Sequence, residues 1–189
     1  MSYLSMMPNM TVMAPKNGQE LREMLLFSLN FGHPLAIRYP RGEAETAFTE
    51  YDEPLSYGKA EVLNWGDTAA VLSFGDMLPV GMEISENLKA HNISPTVVNM
   101  RFVKPWDREL ITELTETHRV IVTLEDGAVS GGVGERIASF VNEISTGIKV
   151  LPVGIPDRFV PQGEKEELMK LLGMDAETVT RRVLKELNA

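Results

Sequence analysis

The 189 residues contain no cysteine. Disulfide frameworks, thiolate nucleophiles and cysteine-type zinc sites are excluded together, and the absence fits a cytoplasmic protein. No apolar run approaches the ~20 residues of a membrane span, so no membrane association is expected. The first ten residues lack the basic start and apolar stretch of a secretory leader. Neither sign of charge forms a long run. Lys and Arg number 18 against 27 Asp and Glu, a formal charge of −9. A net acidic surface repels phosphate backbones, so nucleic acid is not an expected partner. A small phosphorylated ligand stays open, because it answers to a local pocket and not to the total.

Other signatures are missing as well. There is no G-x-G-x-x-G and no P-loop lysine. The three histidines, His33, His91 and His118, show no i, i+4 metal spacing, and none neighbours a serine in a nucleophile-elbow context. Each falls at an expected helix end or turn, where a cation suits the carbonyl dipoles. All three are read as structural.

What is present is a regular alternation. From Ala69 onward, strand-like runs at Ala69–Phe74, Thr96–Met100, Val120–Leu124 and Ile148–Val153 alternate with helical patterns. The helices carry Val80, Ile84 and Leu88; then Leu110, Ile111 and Leu114 behind an Asp107 cap; then Val133, Ile137, Phe140, Val141 and Ile144. This rhythm predicts an α/β three-layer sandwich with a mostly parallel sheet. Two further helices, Glu164–Leu172 and Asp175–Leu187, finish it. Residues 43–68 are acidic and interrupted by Pro54, Gly58 and Gly66, which reads as a linker with one short edge strand near Ala60–Leu63.

Residues 1–42 read as the incomplete end of a second α/β domain. Thr11–Ala14 is strand-like, and Asn17 stands three residues before Glu20, a capping-box spacing. Leu21, Met24, Leu25 and Leu29 are expected on one helix face, and Leu35–Tyr39 forms another strand. A strand, a helix and a strand cannot bury a core alone, so something must cover them. The helix is expected to expose apolar surface, leading to self-association or some disorder of this segment.

Open α/β sheets bind ligands beyond the carboxyl ends of their strands. One such end runs from Glu125 and Asp126 into the glycine-rich stretch 127–134 at a helix start. That loop could cradle an anion, or its glycines could serve close passage past a neighbouring strand. Lacking a nucleotide fingerprint, the second reading is preferred. Glu125 and Asp126 should point apart and are expected to pair with Arg101, Lys104 or Arg136. Arg41 differs. It ends a strand that turns through Pro40, beside Gly42. Its fork geometry suits a phosphate or carboxylate, and an interdomain salt bridge is the alternative. Arg38 is expected in an ion pair.

Several segments together resemble one family. They are Met7-Pro8-Asn9-Met10 with Met13-Ala14-Pro15-Lys16, Ile37 to Gly42 (IRYPRG), Arg101 to Asp107 (RFVKPWD), Val122 to Gly132 (VTLEDGAVSGG) and Gly154 to Gly163 (GIPDRFVPQG). In order and nearly throughout, the chain resembles the C-terminal part of 1-deoxy-D-xylulose-5-phosphate synthases, which are transketolase-like thiamine-diphosphate enzymes. Ser5, Trp106 and Asp126 depart from residues common there.

The resemblance implies a transketolase C-terminal domain over 69–189, a linker at 43–68, and the end of a pyrimidine-binding domain over 1–42. It implies a cytoplasmic homodimeric transferase joining pyruvate to glyceraldehyde 3-phosphate, with release of carbon dioxide, to supply isoprenoid, thiamine and pyridoxal phosphate synthesis. Thiamine diphosphate and Mg2+ would be required, and Arg41 would grip the substrate phosphate. The family's Gly-Asp-Gly motif is absent here, so no catalytic, cofactor or metal residue is expected in this chain. Its partners would be the pyrophosphate- and pyrimidine-binding domains. Alternatives are one subunit of a split transketolase-like enzyme, a non-catalytic α/β binding module, or an oxo-acid dehydrogenase β-subunit, the last disfavoured by GIPDRFVPQG.

Overall fold

The computed structural model describes residues 2–188. A short α1 (Ser2–Ser5) leads into β1 (Thr11–Met13), α2 (Gly18–Ser28) and β2 (Leu35–Ile37). Then come β3 (Glu61–Asn64), β4 (Ala69–Ser73), α3 (Leu78–Ala90), β5 (Thr96–Asn99) and β6 (Phe102–Lys104). The chain ends with α4 (Arg108–Thr117), β7 (Val120–Ala128), α5 (Val133–Ile144), β8 (Lys149–Ile155), α6 (Lys165–Leu172) and α7 (Ala176–Leu187).

Five strands form the main sheet in the order β3-β5-β4-β7-β8. The central pairings are parallel, and β3 runs antiparallel at the edge. Strand residues alternate between two apolar faces. Ala70, Leu72, Val98 and Ile121 pack with Leu110, Ile111 and Leu114 of α4 and with Ile137 and Val141 of α5. Ala69, Val71, Val120 and Val122 pack with Ile84 and Leu88 of α3 and with Val179 and Val183 of α7. A sheet apolar on both faces needs a helix layer on each side, which gives the three-layer sandwich. Asp107 and Asp175 cap α4 and α7, accepting from the N–H groups of Leu110 at 3.1 Å and Thr178 at 3.0 Å.

The amino-terminal segment belongs to a second sheet, of order β2-β1-β6. Its third strand, β6, was not foreseen, because three residues are too few to show a period. β6 runs antiparallel to β1 and supplies the cover that the early strands require. Met13, Met24 and Phe102 form the buried centre there, ringed by Phe27, Leu35, Ile37 and Leu55.

α2 exposes apolar surface as expected at Leu25 and Leu29, but Met24 departs from that expectation. Glu20 and Met24 are its buried residues, while Leu25 and Leu29 are exposed. The reason is electrostatic. Glu20 is anchored in a buried charge cluster, and its i+4 neighbour Met24 must share that face. The Asn17 cap forms as its spacing predicts, accepting from Glu20 N–H at 2.9 Å. The Glu20 carboxylate reaches back to Lys16 N–H at 2.7 Å.

That cluster joins the amino-terminal segment to the main sheet. Lys16 Nζ lies 3.2 Å from Glu20 Oε1 and 2.7 Å from Glu61 Oε2. Arg101 Nε lies 2.8 Å from Glu20 Oε1, and its Nη2 lies 3.0 Å from Glu61 Oε1. Asn99 Nδ2 donates to both carboxylates. Two cations thus meet two anions, each almost fully buried. Arg101 holds a left-handed backbone (φ 52°), which a non-glycine residue keeps only when its surroundings fix it.

Candidate functional site at the sheet's switch point

β4 connects through α3 to β5 on one side, while β7 connects through α5 to β8 on the other. The crevice between the carboxyl ends of β4 and β7 is therefore the topological switch point, where open α/β sheets place ligands. Asp76 follows β4, and Asp126 lies at the end of β7. Arg38 enters from β2 and bridges the two. Its Nη1 lies 3.2 Å from Asp76 Oδ1, and its Nη2 pairs with Asp126. Lys165, at the start of α6, holds Asp76 Oδ2 at 3.1 Å. The backbone of Arg38 is itself fixed, its N–H donating to Met13 O at 2.8 Å.

Past Tyr39 and Pro40, Arg41 stands exposed at the rim. It borders two adjoining concavities of about 510 Å³ and 280 Å³. The larger continues over Met77, Ile155 and Leu168, and the smaller over Lys16, Asn17 and Tyr39. Among the described residues Arg41 forms no ion pair. Arg38 forms the ion pair expected of it. Asp76 and Asp126 are engaged by Arg38 and Lys165, and the Arg41 fork, which shares the larger concavity with Glu43, has the geometry to take an anion. Lys165 was missed from sequence, because nothing near it in the chain signals the strand end it meets.

The other expected residues separate. Glu125 and Asp126 do point apart, but the partners expected for them are corrected. Arg101 pairs with Glu20 and Glu61, and Lys104 Nζ donates to the carbonyls of Ser5 and Met7. Glu125 is buried and accepts from the N–H groups of Val133 at 3.2 Å and Gly134 at 2.9 Å. The amino terminus of α5 is thus filled by the chain's own carboxylate. Glycine is needed there for room, since a Cβ on Gly132 would sit 2.5 Å from Ala128 O and overlap that carboxylate. Burial raises the Glu125 carboxyl above its ordinary range, against the lowering by those two N–H groups and by Arg136.

His91 closes α3, as its position predicts. His118 closes α4, but its expected cationic state is corrected. It is buried, with Nε2 2.8 Å from Thr96 Oγ1, and Nδ1 3.1 Å from Leu114 O and 2.9 Å from Thr117 Oγ1. Burial lowers it below 6.5, outweighing the Leu114 carbonyl and Asp67. With the folded value depressed, the unfolded chain gains a proton first as pH falls. His118 therefore contributes stability above its ordinary range, and that stability is lost through and below it. Urea midpoints should fall between about pH 7.5 and about pH 5.5 more steeply for the parent than for His118→Gln. Equal slopes would remove His118 from the account. Glu125 works the other way, its stabilising share shrinking as pH rises through its raised value, so the variant comparison isolates the histidine.

Among the described residues no group of three or more His, Asp or Glu is arranged to hold a metal ion. None of their helices is long and apolar enough to cross a membrane.

Residues 58–179 match the model of the transketolase C-terminal domain, and the chain belongs to that family. Curated relatives point further. The chain is 40% identical over 183 residues to a 1-deoxy-D-xylulose-5-phosphate synthase of Caldanaerobacter subterraneus subsp. tengcongensis, covering 97% of this chain and 29% of that protein. A synthase of the same name from Haemophilus influenzae is 39% identical, with 97% and 28% covered. The chain therefore spans less than a third of these relatives. Among solved structures, one described as "Split gene transketolase, inactive beta4 tetramer" superposes with a TM-score of 0.91 at 29% identity, over 99% of this chain and 61% of that one. Campylobacter jejuni transketolase, at 17% identity and a TM-score of 0.73, over 97% of this chain and 27% of that one, shares the fold.

Proposed function

We propose that this chain is the C-terminal portion of a 1-deoxy-D-xylulose-5-phosphate synthase, and that Arg41 binds the phosphate of glyceraldehyde 3-phosphate. One observation carries the reading: near-complete coverage of this chain by synthases at about 40% identity. The pairing of Asp76 and Asp126 with Arg38 and Lys165 supports its role, although Glu43 and Glu45 also border the Arg41 concavities. That pairing leaves a guanidinium at the ligand crevice with no internal partner.

In the intact enzyme, a cytoplasmic homodimer, thiamine diphosphate with Mg2+ would supply the carbanion chemistry that joins pyruvate to the aldehyde. Its site would lie in the pyrophosphate-binding domain and the remainder of the pyrimidine-binding domain, because no Gly-Asp-Gly occurs here. Residues 1–42 are the end of the pyrimidine-binding domain, 43–68 a linker and 69–189 the C-terminal domain. Arg41 then sets substrate affinity, and the chain alone has no turnover.

The test joins this chain, fused or co-expressed, to the cofactor-binding part of a synthase and follows product formation. Arg41→Gln in that assembly should raise KM for glyceraldehyde 3-phosphate roughly 10- to 100-fold, the equivalent of one charged hydrogen bond of about 1.5–3 kcal/mol. KM for pyruvate should hardly move. An unchanged aldehyde KM would remove Arg41 from the site. Calorimetry on the chain alone should show no magnesium-dependent thiamine diphosphate binding.

The likeness to a split-gene transketolase chain favours a second reading, one subunit of a two-chain enzyme. Mixing with a separate cofactor-binding subunit distinguishes the two. Activity on mixing unfused chains supports it, and activity only in the fused form rejects it.

A further inference from the structure

Away from Arg41, the start of α4 and the outer face of α5 enclose a concavity of about 480 Å³. Its charged lining is Lys104, Arg108 and Arg136 against one carboxylate, Glu143. On a chain of formal charge −9, such a local excess of cations stands out. Among the described residues, none of the three forms an ion pair within 4.0 Å.

Each cation is held in place by neutral groups. Arg108 Cζ lies 5.2 Å from the centre of the Trp106 ring and 4.7 Å from that of Phe140, inside cation–π range of both. The two rings meet edge to face at 5.0 Å. Arg136 is half-buried, its Nε donating to Gly132 O at 3.3 Å and its Nη2 to Ser5 Oγ at 3.2 Å. Burial lowers its guanidinium from the ordinary value, only partly countered by Glu125 behind it. Lys104 Nζ spends two donors on the carbonyls of Ser5 and Met7, at 3.0 and 2.6 Å, and keeps a third. The guanidinium of Arg108 makes no hydrogen bond among the described residues. Preset donors beside an apolar ring floor lower the ordering cost of an anionic ligand.

We propose that this concavity binds a small phosphorylated metabolite, with its phosphate on Arg108 and Arg136 and an apolar or ring portion against Trp106 and Phe140. The site shares no lining residue with the Arg41 concavities, and it does not depend on the synthase reading.

The experiment uses the whole chain carrying Trp65→Phe, so that Trp106 is the sole indole. Phenyl phosphate and inorganic phosphate are titrated against its fluorescence. Phenyl phosphate should give a saturable change with a dissociation constant below about 1 mM, and it should bind several-fold tighter than inorganic phosphate. Arg108→Gln, an exposed position whose change should leave the fold intact, should weaken it at least ~10-fold. Arg136→Gln should do the same, provided its melting curve matches the parent. Arg41→Gln should leave the titration unchanged. No saturation up to about 10 mM, or undiminished binding in Arg108→Gln, would overturn the proposal. Loss of binding in Arg41→Gln would do so too, placing the ligand at the other site. Equal affinity for the two probes would overturn the metabolite class.

Discussion

Arg101→Met should destabilise the chain by about 3–5 kcal/mol, the usual consequence of breaking a buried ion pair from one side. Removing the guanidinium leaves Glu20 and Glu61 facing Lys16 alone, one uncompensated negative charge with almost no access to water. The Glu53 carbonyl, which accepts from Arg101 Nη2 at 2.7 Å, also loses its donor. Methionine keeps most of the stem volume and takes the same left-handed backbone, so the difference reports the charge. Adding Glu20→Gln to Arg101→Met restores neutrality and should recover more than ~1 kcal/mol, a coupling that two independent sites would not show. Urea unfolding of the parent, both single variants and the double variant measures it. A loss under about 1 kcal/mol in Arg101→Met would mean that water reaches the cluster.

The second large effect is expected from Phe102→Ala, at about 3–5 kcal/mol. Phe102 is fully buried between the second sheet and α2, edge-on to Phe27 at 6.5 Å and to Tyr57 at 5.9 Å. It packs with Met13 and Met24, and with the Glu20 ion pairs this contact holds α2 down, since Leu25, Leu26 and Leu29 face outward. Amide hydrogen exchange separates local from global loss. If the amino-terminal segment opens as its own unit, α2 and β1 lose protection while α7 keeps it. Uniform loss across both would show that the two sheets unfold as one body. Retention of full stability would mean that Phe102 is not what holds α2 on its sheet.

Much of this was legible in the chain. The apolar runs of β4, β5, β7 and β8, with helical periods between them, are local signals, and they placed a parallel sheet with a helix layer on each face. The caps at Asn17, Asp107 and Asp175 were equally local.

What the sequence could not show depends on contacts across long stretches of chain. Glu20, Glu61 and Arg101 lie far apart in sequence, so their buried cluster has no period to read. With the Met13–Met24–Phe102 packing, it decides which way α2 faces. The pairing of β1 with β6 is of the same kind, set by a three-residue strand that owes its existence to its neighbours. By itself, the sequence determined the main sheet and its helices, because side-chain periodicity is a local property that burial of an apolar face enforces. Only the tertiary structure decided that Arg38 and Lys165 occupy the two crevice carboxylates, that Glu125 fills the amino terminus of α5, and that Arg41 is left with an open fork. Ion pairing depends on distance through space, and the chain order does not encode it.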